Sequence, residues 1–310
     1  MNWLIGLLLW TCAASALYAE ERILSEVEGK PLKVVATLST FADLAKTVGG
    51  DRAEVATIAS PRFNPHFIEP KPSDVLKVKR AELFIHAGLD LELWRWPLVD
   101  AAGNREVMAG GPRELDLSRG IELLEAPDRA VSRAEGDIHL YGNPHYWTDP
   151  ENGRVIAQAI RDKLCAIDPR HEQAYHRNLR EFLARLEQKI PEWRSRLAPY
   201  EGREVVGDHR AWPYLMRFLG LKMEPHLEPK PGIPPTPKQL EFLQQHITAQ
   251  RIPAIVRAGY FPKGSAESLA KRTGAAVVLL CQSVGELPAC SDYIAMLDYN
   301  VDQLVTVMGS

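Results

Sequence analysis

The sequence predicts an α/β fold in two lobes, each with a mainly parallel sheet flanked by helices, joined by one long backbone helix. Three observations predict it. Strand-like and helix-like segments alternate from Lys33 onward. A second series of the same kind begins at Glu204. Between them lies the longest amphipathic stretch of the chain. Strands alternating with helices form parallel sheets that are covered on both faces.

The elements follow in order. Lys33–Ser39 (KVVATLS) reads as a buried strand and Phe41–Val48 as a helix. A strand at Glu54–Ala59, a helix at Pro72–Arg80 and a strand at Glu82–His86 come next, then a helix at Leu91–Ala102 and a strand at Ile121–Glu125. Glu151–Cys165 is one helix. Pro169 opens a second one that reaches Leu197, with apolar residues at Tyr175, Leu179, Phe182, Leu186, Ile190, Trp193 and Leu197. Steps of three and four put them on one face. Such a helix is roughly 44 Å long, and Pro191 is expected to kink it or end its regular part.

The second series has strands at Glu204–His209, Lys222–Leu227, Ile252–Arg257 and Ala275–Leu280. Its helices are Trp212–Leu219, Pro237–Ala249, Ser265–Thr273 and Asp292–Val307. Pro225–Pro237 reads as a stiff loop at the edge of this lobe. The expected organisation is a signal peptide at 1–19, an N-terminal lobe at 20–168, a linking helix at 169–199 and a C-terminal lobe at 200–310.

Met1–Ala19 carries no charged side chain and ends in small residues, with Ala14-Ser15-Ala16 or Ala19 as cleavage points. It is too short to span a membrane comfortably and reads as a secretory signal, which places the mature protein in the periplasm or otherwise outside the cytoplasm. A lipid anchor through Cys12 is disfavoured, because Trp10 stands where a small residue is needed. Export leaves Cys165, Cys281 and Cys290. An oxidising compartment permits a Cys281–Cys290 disulfide, with two buried thiols as the alternative, and Cys165 reads as a buried thiol.

The 310 residues carry 37 Lys+Arg against 40 Asp+Glu, with no basic half, which argues against a nucleic-acid partner. Chemistry concentrates instead in the nine histidines. Three sit where a strand gives way to a loop or helix: His66 in Asn64-Pro65-His66, His145 in Asn143-Pro144-His145, and His209 after Asp208. Ligands of open α/β sheets bind outside the carboxyl ends of the strands. Three imidazoles there make a zinc-type site with one position left over, although each alone also reads as a loop histidine bonded to backbone. The Pro stiffens the backbone and the Asn can hydrogen-bond the loop. His171 and His176 do not share a helix face, and HEQAYH misses the H-E-x-x-H zinc motif by one residue. His86, His226 and His246 read as structural. Trp94, Trp96, Trp147 and Trp212 read as core or cleft-wall residues.

Several segments carry a family resemblance. They are NPHFIEPKPSDV (Asn64–Val75), GLDLELW (Gly88–Trp94), GNPHYWTDP (Gly142–Pro150), VVGDHRAWPYLMRFLGL (Val205–Leu221), PPTPKQL (Pro234–Leu240) and DYIAMLDYNVDQL (Asp292–Leu304). In this order the chain resembles the zinc/manganese-binding solute-binding proteins of bacterial ABC importers, the cluster A-I or TroA-like family of zinc-uptake periplasmic binding proteins. The resemblance implies one metal in the cleft, held by His66 and His145 from the first lobe and His209 from the second. It also implies a membrane permease and a separate ATPase subunit as partners. This chain lacks the G-x-x-x-x-G-K-[ST] loop. A monomer is expected.

The usual fourth ligand of the family is an Asp, where this chain has Gln282. The fourth position is therefore open to water, the Gln282 oxygen, Cys281, Asp208 or Asp292. Fewer carboxylates favour Zn2+, with Mn2+ as the alternative. Arg257 is a cation where an acidic residue is expected, and would oppose metal binding. The short stretch Glu125–Tyr141 keeps Asp137 and His139, and His139 is a candidate auxiliary ligand. The alternative functions are a manganese- or iron-binding homologue, a metal-dependent surface adhesin, or a zinc hydrolase with Glu69 or Asp208 as base. The leading reading is not an enzyme, and no G-x-S-x-G motif is present.

Overall fold

The computed structural model describes residues 29–127, 139–229 and 232–309. The expected signal peptide, Cys12 and Asp137 lie outside the described residues.

The first lobe is built from β1 (Leu32–Ala36), α1 (Ser39–Gly49), β2 (Ala53–Thr57), α2 (Pro72–Lys79), β3 (Leu83–His86), α3 (Arg95–Ala102), β4 (Glu114–Asp116) and α4 (Pro150–Ile167). The long helix is α5 (Glu172–Leu197). The second lobe comprises β5 (Glu204–Gly207), α6 (Pro213–Leu219), β6 (Lys222–His226), α7 (Pro237–Gln250), β7 (Ala254–Arg257), α8 (Gly264–Thr273), β8 (Ala276–Leu279) and α9 (Tyr293–Met308). Both sheets have four parallel strands, in the orders β2-β1-β3-β4 and β6-β5-β7-β8. The strand order reverses at β1 and at β5, so each lobe has a crevice at the carboxyl end of its central strands.

The helix α5 buries the seven apolar residues predicted to share its face. It continues past Pro191 to Leu197, so Pro191 does not end it. Pro191 and Glu187 are both exposed, so the carbonyl left without its helical donor faces water. One apolar core runs through both sheets and α5. A smaller one, including Val206, Leu243, Ile247, Ile255 and Leu269, lies under α7 and α8. The last helix returns to the first lobe: the Tyr293 N–H donates to Asp43 Oδ2 on α1 (2.9 Å), and the Tyr293 hydroxyl donates to the Trp147 carbonyl (2.8 Å). Gly153 makes room for that ring, since a Cβ there would lie 2.3 Å from the Tyr293 oxygen.

Other expectations need correction. Ile121–Glu125 is not a strand; Glu125 has φ 53°, outside the β region, and the Leu124 N–H donates to the Tyr214 hydroxyl (3.0 Å). The fourth strand is the short edge strand β4. The helix expected from Leu91 starts only at Arg95, because the Glu92 carboxylate turns back to accept the Ala87 N–H (2.9 Å) and the Thr37 hydroxyl. Cys165 is only half-buried. Trp96 is exposed, with the Arg95 guanidinium 4.0 Å from its ring centre. Cys281 and Cys290 are joined as a disulfide.

Candidate metal centre

The loop after β2 carries His66. Asn64 Oδ1 accepts the His66 N–H (3.0 Å), and the Trp94 indole donates to the Pro65 carbonyl (2.8 Å). The same device recurs before α4, where Asn143 Oδ1 accepts the His145 N–H (3.0 Å). Asn143 also reaches the other lobe, donating to the Arg210 carbonyl (2.8 Å). Trp147 stacks on His145 with ring centres 5.5 Å apart, and its indole donates to the Gln282 carbonyl (2.8 Å). His209 leaves the end of β5 and stacks on Phe261 at 5.4 Å.

These elements converge. His66, His139, His145 and His209 each offer a ring nitrogen, and the four lie within 4.8 Å of one another. His66 Nε2 and His145 Nε2 are 3.3 Å apart. Two imidazoles on one tetrahedral zinc, with bonds of about 2.0–2.1 Å, hold their nitrogens about 3.3 Å apart. His139 and His209 turn their Nδ1 atoms to carboxylates: Asp90 Oδ1 at 3.2 Å and Glu228 Oε2 at 2.7 Å. Among the described residues their buried Nε2 atoms have no hydrogen-bond partner. A carboxylate on one ring nitrogen fixes the tautomer that leaves the other free to coordinate.

The other candidates for a fourth partner are occupied elsewhere. The Gln282 side-chain oxygen accepts the Tyr260 hydroxyl. Cys281 is in the disulfide, so it offers no thiolate. The Asp208 oxygens accept the N–H groups of His209 (2.7 Å) and Ala258 (3.1 Å). Asp292 caps α9 by accepting the Ala295 N–H (3.0 Å). The structure instead brings His139 to the other three histidines. Asp90 and Glu228, to which the sequence reading gave no role, lie behind two of the rings. Arg257 does not stand against an ion unbalanced. It is buried, donates to the Gly259 and Phe261 carbonyls, and faces the buried carboxylates Asp208 and Glu286.

Burial, and then the neighbouring imidazoles, push His66 and His145 well below the usual histidine range. Both are neutral in the fold at pH 7, as metal ligands must be. The unfolded chain titrates them near the ordinary value of about 6.5. Below that value the unfolded chain binds more protons, so this part of the stability is present above about pH 6.5 and lost as the pH falls towards the folded values. Asp43, raised by burial to about 6, acts with the opposite sign. The comparison is therefore with the His66→Gln, His145→Gln double variant. In urea unfolding of metal-free protein, the parent should lose more stability than the variant between about pH 7 and 5; equal losses would contradict this account.

Comparison with known proteins fits this arrangement. The family described as zinc-uptake complex component A, periplasmic (ZnuA), matches residues 34–307. The chain belongs to the ZnuA family. It is similar to the iron-binding protein YfeA of Yersinia pestis, 29% identical over 289 residues, 90% of this chain and 87% of that one. It is also similar to the manganese ABC transporter substrate-binding lipoprotein PsaA of Streptococcus mitis, 26% identical over 285 residues and 89% of each chain. Among solved structures, a ZnuA crystal structure superposes with a TM-score of 0.75 at 23% identity, over 89% of this chain and 99% of that one. A manganese-bound periplasmic metal-binding protein from Candidatus Liberibacter asiaticus gives 0.73 at 20% identity, over 88% and 98%. These two likenesses speak to the fold. Within the ZnuA family, the residues at the cleft of this chain decide what the fold can hold.

Proposed function

We propose that the protein is the extracytoplasmic zinc-binding component of an ABC import system. It captures Zn2+ between its lobes through His66, His139, His145 and His209 and delivers it to a membrane permease driven by a separate ATPase subunit. Family membership supports the transport role. One observation carries the choice of metal: the donor set is four imidazoles with no carboxylate among them. Imidazole suits zinc, whereas manganese prefers carboxylate and water oxygens. Relatives are named for iron and manganese, so the ligand set of this chain, rather than its family, argues for zinc. Four protein ligands also close the coordination sphere, leaving no position for the attacking water of a hydrolase.

The test is titration of purified, metal-free mature protein with Zn2+ and with Mn2+. One equivalent of zinc, bound more tightly than manganese, is the expected result. Tighter manganese binding, or no transition-metal binding, would overturn the reading. Export by the N-terminal segment predicts a mature chain cleaved after Ala16 or Ala19. Several relatives are named lipoproteins, so the intact mass of the mature protein decides; a mass for a chain that begins at a lipidated Cys12 would instead mean cleavage before Cys12 and anchoring to a membrane.

A further inference from the structure

Two carboxylates lie next to the four imidazoles, and the reading above gives their charge no role. Asp90 is 8% exposed and the Glu228 side chain 14%. Asp90 comes from the first lobe, between β3 and α3, and Glu228 from the second, just after β6. Asp90 Oδ1 faces His139 Nδ1 (3.2 Å) and Oδ2 accepts the Leu140 N–H (3.0 Å). Glu228 Oε2 faces His209 Nδ1 (2.7 Å) and accepts the Gly232 N–H (3.1 Å). Among the described residues neither carboxylate pairs with a lysine or arginine; their recorded ion-pair partners are the two histidines. Burial raises the Asp90 carboxyl, but the His139 and Leu140 hydrogen bonds outweigh it and hold the group below the usual carboxylate range. Arg257 faces Asp208 and Glu286 instead.

We propose that Asp90 and Glu228 are the counter-charges of the cargo. Each lobe supplies one negative charge, placed behind a ligand imidazole, and together they match a divalent ion. This inference rests on the four imidazoles being the metal site. Imidazoles that coordinate a metal do so as neutral ligands, so four of them give an ion no charge compensation and a bound divalent ion would leave the cleft at plus two. The two carboxylates bring that sum to zero. They act through the rings: a carboxylate on Nδ1 raises the basicity of Nε2 and orients it. With no ion present, the two carboxylates keep their contacts to His139, Leu140, His209 and Gly232. The site thus selects by charge as well as by ligand type, and each lobe holds half of the balance.

The test uses the mature protein and zinc itself. In Asp90→Asn and Glu228→Gln an amide oxygen remains to accept the ring N–H, so the orientation can persist while the charge is lost. Zinc affinity, read by competition with a chromophoric chelator, should fall about 10–100-fold in each variant, the range typical of lost outer partners of metal-bound histidines. Asp90→Glu and Glu228→Asp, which keep the charge, should recover part of the loss. The urea midpoint of metal-free Asp90→Asn should fall, because the fold favours its ionised carboxyl, so affinities are compared at a denaturant-free condition where each variant is folded. A merely structural role predicts that the charge-keeping variants recover none of the lost affinity, and that result would overturn the proposal. So would zinc affinity within about threefold of the parent in both variants, against the expected range. The two positions lie in different lobes, so one variant reports even if the other fails to fold. If the parent itself takes up no zinc, the functional reading fails and this inference with it; if the parent binds and the neutralised variants bind equally well, only this inference fails.

Discussion

Replacing His145 by alanine is expected to weaken zinc binding by roughly 100-fold or more. Structural zinc sites gain about 10–16 kcal/mol on binding. An even share for one ligand of four is about 2.5–4 kcal/mol, and about 1.4 kcal/mol is a factor of ten. His145 should hold at least that share. It is fully buried, its backbone N–H is fixed by Asn143, its ring stacks on Trp147, and its Nε2 already stands 3.3 Å from that of His66. Little ordering remains to be done when the ion arrives, so the ligand acts at close to full strength. Gln282→Ala makes the contrast. Its side-chain oxygen is engaged by Tyr260, and zinc affinity should stay within about threefold of the parent, a small step on the same scale. Competition titration of both variants reads the difference. A His145→Ala protein that binds zinc as the parent does would remove the cluster from the transport function.

The contrast between His145 and Gln282 also marks what a sequence shows and what it hides. His66, His145 and His209 are legible because each follows a local rule. Two sit in Asn-Pro-His turns and one beside Asp208, all at strand or helix ends, where α/β sheets place ligands. His139 is only half legible. It has no turn of its own, and it is held at the cluster by Asp90, 49 residues away in the chain. Glu228 is 19 residues from His209 and sits in a proline-rich loop that reads as an edge. Their pairing depends on how strands and loops assemble, which no spacing records. The fold follows the same division. Strands with several buried β-branched residues are readable, whereas β4 has three residues and makes one edge pairing. Glu125 ends the false strand through a backbone conformation that its side chain does not announce. The other candidates for the fourth partner share one feature. Gln282, Asp208 and Asp292 are polar residues near the right place in sequence, but their oxygens are already engaged by Tyr260, backbone amides and a helix start.

The same reasoning about engaged groups predicts where the two-lobe frame is weakest to mutation. Trp193→Ala should cost about 3–5 kcal/mol, the range for large aromatic residues removed from a core. Trp193 is fully buried on α5, which both lobes share. Its indole donates to Asp298 Oδ1 on α9 (2.7 Å), and its ring meets Phe218 of α6 edge-on with centres 6.5 Å apart. Asp298 would not be stranded by the loss, because Lys189 Nζ stays 3.1 Å from it. The cost therefore comes mainly from the cavity and the lost packing, not from an orphaned acceptor. Trp193→Phe separates the two contributions: it keeps much of the packing, gives up the hydrogen bond and should cost about 1–2 kcal/mol. At roughly 2 °C per kcal/mol for a chain of this size, the alanine variant should melt about 6–10 °C lower. Saturating zinc should recover part of that loss, since an ion bound only by the folded protein adds about 4 kcal/mol at a thousandfold excess over Kd. An alanine variant that melts with the parent would mean that the helix shared by the lobes does not hold them through this ring.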